Sequence, residues 1–509
     1  THLRREPSER PIMTLNFDPV ALAASVTPST RLVIGGRSVE SVSGATFATV
    51  NPATGQELAQ VSEGTAEDVD RAVAAARDAF DNGAWGRMSP ADRRGLLKRF
   101  ALLVEAHADE LALLESLEAG KPIFDTSTID LPETVACLMW HAELADKVYD
   151  QASPSGHGAV STIVREPMGV VGAVLPWNFP LMMAAWKIGP ALAAGNTMVL
   201  KPAEQTSLST IRIGELATEA GLPDGVLNVV PGFGETAGQS LGLHTGVDCV
   251  GFTGSTEVGR MFLRYSADSN LKRVLLECGG KNPMVVMSDA EDLDKVAASA
   301  CESIFWNAGQ NCSSNSRLLL HESVADDVLA RIDEAMHGWI VGDPLDPETR
   351  VGAIIEPVHM DKILANIEKA KDEGATLRAG GQQTRVDSGG WFVEPTIFTG
   401  VTHDMTVARE EVFGPVLSVS TFAHADEGIT MANDTDYGLH ASVFTSNVRS
   451  AHLAARKLKA GTVSVNTYSE GDMSTPFGGY GLSGFGGRDN GVHAHEQYTE
   501  TKTIWLDLS

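Results

Sequence analysis

A cysteine and a glutamate, each set in glycine-rich sequence, are the residues of this chain best suited to covalent chemistry. Cys312 ends the sequence GQNC, and Glu277 begins the earlier sequence ECGGK. A thiolate is a strong nucleophile and a carboxylate can act as a general base, so together they suggest a covalent reaction followed by proton abstraction. The pair is weak evidence by itself, because most lone cysteines are inert residues of a hydrophobic core.

An asparagine in a stiff loop could complete such a site. Asn178 lies in the sequence PWNFP at 176–180, directly after a predicted strand, and the two prolines restrict the backbone. An amide that is held rigidly can donate hydrogen bonds to an oxygen that develops negative charge. The alternative is that Asn178 only satisfies backbone groups of its own turn.

Two glycine-containing turns have the form of phosphate-binding turns. In FTGSTEVG at 252–259 a predicted strand ends and a helix begins. Gly254 permits the tight turn, free N–H groups of the new helix can meet a phosphate, and Ser255 could add a hydroxyl. The second turn, PGFGETAG at 231–238, contains Gly234. Each turn also fits a simple helix cap, but two in one sheet support a nucleotide site.

A lysine and a glutamate end another predicted strand. Lys201 and Glu204 lie in LKPAE at 200–204. Ligands of open α/β sheets bind at the carboxyl ends of the strands, so both side chains could reach ribose hydroxyls. The alternative is an ordinary solvated ion pair.

Alternating short apolar strands and helices must position these loops. This alternation predicts a parallel, doubly wound sheet, and a second α/β run follows residue 276. A strand over 498–508 needs a partner elsewhere in the chain or in another subunit. The predicted strands are 170–175, 197–201, 227–230, 249–253, 284–287 and 317–321, and the predicted helices are 68–82, 90–114, 181–194, 207–220, 237–241, 290–307 and 326–340.

Composition narrows the class of protein. The chain has 509 residues, of which 43% are hydrophobic and 21% charged, as in ordinary globular proteins. This length predicts about two to four domains. The net charge of −27 argues against a nucleic-acid partner, which would require a basic face.

The cysteines and the apolar segments bear on the cellular compartment. The chain has five cysteines and no CxxC pair, so neither a disulfide framework nor a zinc or other metal site is expected, and a reducing, cytoplasmic location is predicted. Prolines and polar residues interrupt the apolar region 170–200, so no run reaches the roughly 18 residues of a membrane span. Residues 1–12 lack the apolar core of a signal peptide, and Met13 could be the natural start.

Seven motifs occur in the order seen in NAD(P)-dependent aldehyde dehydrogenases, and the chain is identified as similar to that family. The resemblance runs from about residue 30 to the C-terminus. The motifs are PWNFP at 176–180, KPAE at 201–204, FTGST at 252–256, ECGGK at 277–281, GQNC at 309–312, EVFGP at 411–415 and PFGG at 476–479.

The resemblance implies catalytic roles for three residues. Cys312 would attack the aldehyde carbon, and Asn178 together with the backbone N–H of Cys312 would hold the resulting oxyanion. Hydride transfer would leave a thioester, and Glu277 would activate the water that hydrolyses it.

The resemblance also implies a dinucleotide site. Lys201 and Glu204 resemble the adenosine-ribose clamp, and Ser255 resembles a pyrophosphate contact. NAD is expected rather than NADP, because Glu204 would repel a 2′-phosphate. The other implied cofactor-binding residues are Trp177, Gly234, Gly254, Glu411 and Phe413.

Three positions depart from the family pattern. Cys278 replaces a leucine that usually follows the general base, and Glu118 stands where aspartate is common. The sequence GGRD at 486–489 has an extra glycine and a shorter acid, which puts a proton-relay role for Asp489 in doubt.

Within the family, the match is nearest to γ-glutamyl-γ-aminobutyraldehyde and related aminoaldehyde dehydrogenases. It is carried by VNTYSEGDM at 465–473, PF at 476–477 and TETKTIW at 499–505. Gly471 would open the pocket for a long substrate. An apolar wall and an acidic entrance are expected, although the acids could equally be solvated surface groups. The wall residues are Phe179, Met183, Trp186 and Phe477, and the entrance residues are Glu470, Asp472, Glu115 and Glu118.

These inferences define the predicted fold and activity. The fold is aldehyde dehydrogenase-like, with two doubly wound α/β domains and a small β oligomerisation extension. The expected activity is NAD-dependent oxidation of an ω-amino or γ-glutamylamino aldehyde in polyamine catabolism, by a homodimer or homotetramer without nucleic-acid or membrane partners. The predicted segments are an extension at 1–20, a dinucleotide-binding domain at 21–147 and 168–279, a catalytic domain at 280–482, and bridging segments at 148–167 and 483–509.

Four alternatives remain at this stage. The enzyme could be a broad-specificity or other semialdehyde dehydrogenase. A CoA-acylating relative would need no water-activating carboxylate, so Glu277 argues against that interpretation. A non-redox thioesterase would leave the nucleotide motifs without a purpose. A structural protein that has lost catalysis would have no reason to keep Cys312, Glu277 and Asn178 together.

Overall fold

Strands account for two large sheets and three small ones in the computed structural model, which describes residues 15–509. In chain order the strands are β1 (Leu32–Ile34), β2 (Arg37–Val39), β3 (Thr46–Asn51), β4 (Gln56–Ser62), β5 (Gln151–Ser153), β6 (Ala159–Pro167), β7 (Val170–Val174), β8 (Thr197–Lys201), β9 (Leu227–Val229), β10 (Cys249–Gly254), β11 (Arg273–Cys278), β12 (Pro283–Val286), β13 (Arg317–His321), β14 (Thr376–Ala379), β15 (Gln383–Thr384), β16 (Phe392–Val393), β17 (Thr396–Thr399), β18 (Val416–Phe422), β19 (His440–Phe444), β20 (Thr462–Val465) and β21 (Thr499–Asp507).

Helices cover the faces of the sheets. In chain order they are α1 (Pro19–Ala23), α2 (Ala66–Asp81), α3 (Pro90–Ala106), α4 (Ala108–Ala119), α5 (Ile123–Asp125), α6 (Leu131–Leu144), α7 (Pro180–Ala194), α8 (Leu208–Glu219), α9 (Gln239–Leu243), α10 (Thr256–Ala267), α11 (Leu293–Phe305), α12 (Glu322–Met336), α13 (Pro357–Asp372), α14 (Thr406–Arg409), α15 (Ala425–Asn433), α16 (Val448–Lys457) and α17 (Gly491–Glu496).

The first large sheet has the strand order β11-β10-β7-β8-β9-β1-β2. The five strands from β11 to β9 pair in parallel, whereas β1 pairs antiparallel with β9 and with β2. All residues of β7 and β8 are buried, as expected for central parallel strands that helices cover on both faces. The loops that carry Asn178, Glu204 and Ser255 therefore leave this sheet at one edge.

The second large sheet has the order β14-β17-β18-β13-β12-β19-β20, and only its edge pair β14–β17 is antiparallel. A three-stranded antiparallel sheet, β21-β6-β5, combines the C-terminal strand with the segment that precedes β7. The predicted doubly wound α/β fold is thus confirmed, and the C-terminal strand has its partner within the same chain. The domain boundaries given above stay a prediction.

Local sequence explains why the helices begin where they do. Thr65 caps α2 in a capping box with Asp68, and the apolar stripe Val69, Val73 and Ala76 is buried against the first sheet. The predicted helix at 68–82 therefore lies close to its observed bounds. The helix predicted over 90–114 is instead two helices, which meet at His107.

Several other predictions concern the segment before β7, the N-terminal residues and a possible membrane span. The segment 163–170, interpreted as a chain crossing, is largely the strand β6. The prediction of an N-terminal extension falls mostly on residues 1–14, as do those for Met13 and for a missing signal peptide, and these residues lie outside the described part. Within the described part, no helix combines the length and apolarity needed to cross a bilayer.

Candidate functional site

A cavity of about 670 Å³ lies where the carboxyl edge of the first sheet meets loops of the second. Its volume is typical of a pocket for a small ligand. Asn178, Glu277 and Cys312 all line it. The structure therefore brings together three residues that the sequence places far apart.

The loop before Cys312 has an unusual backbone. After α11, Asn307 and Ala308 adopt φ of 50° and 52°, and Gly309 follows with φ of 70°. A Cβ at Gly309 would lie 2.2 Å from the carbonyl oxygen of Gly414, so only glycine fits there. Non-glycine residues in this region store strain, which persists where the surroundings fix the backbone. The loop thereby presents Cys312 to the cavity.

The surroundings of Cys312 oppose ionisation of its thiol. Burial raises its pKa well above the ordinary value, and the negative charges of Glu470, Glu411 and Glu277 raise it further. Its own backbone N–H opposes this effect. Because the thiolate is the nucleophile, any group that offsets these negative charges would favour reaction at Cys312.

Asn178 is buried and held on both sides. Its Nδ2 donates a hydrogen bond to the carbonyl oxygen of Gln310, at 3.0 Å. The backbone carbonyl oxygen of Asn178 accepts hydrogen bonds from Asn307 Nδ2 at 3.0 Å and from Lys121 Nζ at 3.3 Å. An amide NH₂ group has two donors, so one N–H remains for an oxyanion. The stiff loop predicted from PWNFP is thus tied to the loop before the cysteine.

Lys121 belongs to a buried charge cluster behind Asn178. Its Nζ lies 3.4 Å from Glu115 Oε1, pairs closely with Asp130, and sits 3.9 Å from the centre of the Phe179 ring. Lys121 and its two carboxylate partners are almost completely inaccessible to solvent. Burial, with Asp130 next, raises the pKa of Glu115 well above its ordinary value, which favours the protonated form of that carboxyl group.

Lys121→Met is expected to lower the free energy of unfolding by roughly 3–5 kcal/mol, because it leaves a buried carboxylate without its cation. Chemical denaturation would measure this loss. The double variant Lys121→Met/Asp130→Asn, which also removes one carboxylate, should recover much of it. Equal losses for the single and double variants would contradict an ion-pair role for Lys121.

Glu277 is the next-to-last residue of strand β11, and its carboxyl group lies against a glycine. Its Oε2 has no hydrogen-bond partner among the described residues. A Cβ at Gly478 would lie 2.6 Å from Oε1, so this glycine makes room for the carboxyl group. Burial raises the pKa of Glu277 well above its usual range, and the charge of Asp489 adds to this effect. A raised pKa makes Glu277 a stronger base once it has lost its proton.

Asp489, whose role the sequence leaves in doubt, lines the cavity beside Glu277. Its Oδ2 lies 2.5 Å from Lys187 Nζ, and its Oδ1 accepts from Gln497 Nε2 at 3.3 Å. Lys187 and Asp489 are both almost fully buried. This pair sets the charge around the carboxyl group of Glu277.

Glu411 packs against the backbone that follows Glu277. Its Oε1 accepts a hydrogen bond from the N–H of Gly280 at 2.7 Å. A Cβ at Gly279 would lie 1.9 Å from Oε2, which accounts for glycine at that position. Burial raises the pKa of Glu411 to about 7, against the opposing effects of the Gly280 N–H and of Lys281. A carboxylate placed in this way could accept hydrogen bonds from ribose hydroxyls.

Three aromatic rings form one wall of the cavity near Glu411. The ring of Trp177 lies 5.4 Å from that of Phe413 and 5.5 Å from that of His359. Phe413 has φ of 55°, and its carbonyl oxygen lies 2.7 Å from His359 Nε2. His359 thus holds a strained residue in place, a contact that the local sequence does not reveal.

The remaining predicted cofactor residues follow the carboxyl edge of the first sheet, where Lys201, Glu204 and Gly234 lie outside the lining of the cavity. Gly254 and Ser255 line the cavity, and the Ser255 hydroxyl accepts from the N–H of Val258 at 3.3 Å as the cap of α10. Lys201 and Glu204 form an ion pair of 2.9 Å at the end of β8. Gly234 begins a π-helical turn after β9.

The predicted apolar wall is present around Cys312. Phe179 packs against Trp306 with ring centres 5.2 Å apart, and Trp186 packs against Phe477 at 5.1 Å. Met183 completes this side of the cavity, and all five residues line it. The sequence motifs did not indicate Trp306 as a residue of this wall, although it lies just before the GQNC motif.

The prediction of an acidic entrance is wrong for two of its four residues. Glu115 and Glu118 are fully buried away from the cavity, Glu115 beside Lys121 and Glu118 accepting from the N–H groups of Leu208 and Ser209. The prediction fails for Glu115 and Glu118 because α4 is buried over most of its last two turns. Glu470 and Asp472 do line the cavity, and so do three acids that the sequence did not single out, Glu133 on α6, Glu302 on α11 and Glu356 just before α13.

Comparison with known proteins gives a family match over most of the chain. A model of the aldehyde dehydrogenase family matches residues 39–504. The chain is 54% identical over 489 residues to an aminoacetaldehyde dehydrogenase from Pseudomonas aeruginosa, covering 96% of this chain and 98% of that protein.

Two solved structures have the same fold at a TM-score of 0.95 and 49% identity. One is an indole-3-acetaldehyde dehydrogenase mutant from P. syringae in complex with NAD+ and IAA, covering 96% of this chain and 99% of its own. The other is a γ-glutamyl-γ-aminobutyraldehyde dehydrogenase from Burkholderia cenocepacia, covering 97% of this chain and 99% of its own.

Proposed function

Because this chain belongs to the aldehyde dehydrogenase family, we propose that it oxidises an amino-bearing aldehyde to the carboxylic acid, with NAD as the acceptor and a thioester on Cys312. The observation that supports the reaction best is the meeting of Cys312, Asn178 and Glu277 in one cavity. They supply a nucleophile, an oxyanion donor and a base, which are the three groups that this reaction needs.

The first step forms a bond between Cys312 Sγ and the aldehyde carbon. The thiol loses its proton, the sulfur attacks, and the carbonyl electron pair moves to the oxygen. Asn178 Nδ2 and the backbone N–H of Cys312 hold this oxyanion. A pair of fixed donors acts mainly on the transition state, since the charge develops only there.

The second step releases the acid. NAD, when bound, supplies the acceptor for the hydride whose loss turns the tetrahedral adduct into a thioester. The carboxylate of Glu277 then takes a proton from water as the water oxygen attacks the thioester carbon. The C–S bond breaks and returns Cys312 as a thiolate.

Residues at the carboxyl edge of the first sheet could hold a dinucleotide. Gly254 and the first turn of α10 offer N–H groups for phosphates, and Glu411 lies where a carboxylate can meet ribose hydroxyls. Lys201 and Glu204 would bind the adenosine ribose at the end of β8. The carboxylate of Glu204 disfavours a 2′-phosphate, which supports NAD over NADP.

The charge of the cavity supports an amino aldehyde as substrate. Four carboxyl residues line it around the proposed aldehyde site, namely Glu133, Glu302, Glu470 and Asp472. The lining lysine, Lys362, lies on α13, and burial lowers the pKa of His359 on the same helix, which favours its neutral form. The known relatives do not decide between substrates, because equally similar structures are named for indole and for γ-glutamyl aldehydes. The acids favour a substrate with a cationic end.

A matched pair of aldehydes tests this substrate class. The protein should oxidise 3-aminopropanal with a catalytic efficiency, kcat/KM, about 10- to 100-fold above that for butanal, which has the same length and no charge. This ratio corresponds to the free energy that a hydrogen bond to a charged group contributes. Steady-state NADH formation measures both, with NADP in a parallel series expected to be the poorer acceptor. Equal efficiency with butanal, benzaldehyde or indole-3-acetaldehyde would refute the substrate proposal.

We also propose a homodimer or homotetramer. Strand β21 carries exposed apolar side chains, with Ile504, Trp505 and Leu506 at 49%, 63% and 56% exposure. Such an edge strand tends to be covered by another subunit. All five cysteines are free, which supports a reducing compartment such as the cytoplasm. The similarity to a γ-glutamyl-γ-aminobutyraldehyde dehydrogenase supports a role in polyamine catabolism.

A further inference from the structure

A hydrogen-bond network surrounds Cys312 and ends on a carboxylate. Asn311 Nδ2 donates to the Tyr468 hydroxyl at 2.8 Å, and Ser313 Oγ lies 2.7 Å from the same hydroxyl. Ser313 Oγ also donates to Glu470 Oε1. The two residues that flank the nucleophile are therefore tied to one tyrosine, and one of them holds Glu470 directly.

Glu470 carries the charge that acts most strongly on Cys312. Among the charges that raise the pKa of the Cys312 thiol, that of Glu470 ranks before those of Glu411 and Glu277. Burial raises the pKa of Glu470 itself, the hydroxyl of Ser313 and the amide of Asn311 lower it, and the charge of Glu133 raises it.

Tyr468, at the centre of the network, faces further negative charge. Burial and then Glu470 raise its pKa well above the ordinary value, and Cys312 and Glu302 add to the effect. Tyr468 therefore stays a neutral hydroxyl and can relay hydrogen bonds but not charge. A cation that enters this side of the cavity would meet Glu470 with Glu133 and Glu302 nearby.

We propose that the ammonium group of a bound amino aldehyde pairs with Glu470 and, by neutralising a charge held one residue from the nucleophile, promotes ionisation of Cys312. The thiol proton passes to solvent, and the thiolate attacks the aldehyde of the same substrate. This coupling rests on the proposed function, and it adds that the substrate helps to activate its own nucleophile. Neutral aldehydes meet the less reactive thiol, so they are disfavoured in the rate of acylation as well as in binding.

The test is the titration of Cys312 in Glu470→Gln. The ultraviolet absorbance of the thiolate, with Cys312→Ser as the baseline, gives the titration midpoint without NAD or aldehyde. Glu470→Gln is expected to lower the midpoint and to raise the rate of alkylation by iodoacetamide at neutral pH several-fold, since a charge that opposes the thiolate is gone. With 3-aminopropanal as substrate, the same variant should lose about tenfold or more in catalytic efficiency. If Glu470 had only a structural role, Glu470→Gln would lower both the rate of alkylation by iodoacetamide and the catalytic efficiency with 3-aminopropanal.

Two controls separate charge from position. Glu470→Asp keeps the charge and should keep a midpoint close to that of the wild type. Glu356→Gln removes a carboxylate that lines the same cavity and bonds to Gln205 at 3.0 Å, and it should leave the midpoint unchanged. A shift in Glu356→Gln as large as that in Glu470→Gln would overturn the proposal.

Ethylammonium ion tests the coupling in the unaltered protein. At matched ionic strength it should lower the Cys312 midpoint relative to sodium ion, and the effect should vanish in Glu470→Gln. No response in the wild type, or an equal response in the variant, would refute the coupling. Such a failure would leave the proposed function standing, because that function is judged by NADH formation from the aldehyde pair.

Discussion

Replacing Cys312 with serine is expected to lower kcat for aldehyde oxidation by on the order of 10⁴- to 10⁶-fold, the range seen when a covalent nucleophile is removed. A serine hydroxyl is far less acidic than a thiol, and no base in the described structure is hydrogen-bonded to position 312. The remaining contacts of the site do not involve Sγ, so the cavity should keep its shape. NADH formation under saturating aldehyde measures the loss.

The matched control is Cys278→Ser, which changes the second thiol near the site. Cys278 ends β11, and its thiol packs against Gly259 of α10 within the hydrophobic core of the first sheet, so its variant should retain most activity. Binding of NAD, followed by quenching of tryptophan fluorescence, should be similar in both variants. Persistent turnover in Cys312→Ser would disprove the assignment of the nucleophile.

Replacing Glu277 with glutamine should reduce steady-state turnover by about 10²- to 10⁴-fold, the usual contribution of a general base. An amide cannot take the proton from water, so hydrolysis of the thioester slows. Acylation does not require this base, and the variant should therefore form close to one equivalent of NADH per active site before it stalls. Stopped-flow fluorescence resolves this burst from the slow phase.

A glutamate at the cofactor side provides the comparison for Glu277. Glu411→Gln should affect the burst itself, because Glu411 is proposed to position the nicotinamide ribose rather than the water. The two variants are thus expected to differ in which phase is slowed. A Glu277→Gln enzyme with no burst would show that Glu277 acts before the thioester forms.

Local sequence predicted the parallel sheets well because their strands are short apolar runs between turn signals. The strands at 197–201 and 317–321 have the predicted bounds. The helix predicted over 290–307 instead ends at Phe305, since Asn307 and Ala308 turn into the left-handed region. Asn307 and Gly309 tolerate this region, but Ala308 does not favour it, so the full turn could not be predicted from local propensity.

The candidate site shows the same division between local and distant information. The motif residues around Cys312 could be identified from the chain, and the structure gathers them at one cavity. Glu133, Glu302 and His359 could not be identified, because they come from helices whose sequences carry no motif. The predicted entrance role of Glu115 and Glu118 was wrong because the sequence does not show whether the helix face that carries an acid is buried.

The most direct test is the intact mass of Glu277→Gln after acid quenching in the presence of NAD and 3-aminopropanal. The thioester proposal predicts that the protein gains the mass of one acyl group, that the adduct maps to the peptide that carries Cys312, and that its amount equals the NADH burst. The unaltered enzyme should show much less adduct, because Glu277 promotes its hydrolysis. An NADH burst without an adduct, or an adduct that maps to Cys278, would contradict the central claim that oxidation proceeds through a thioester on Cys312.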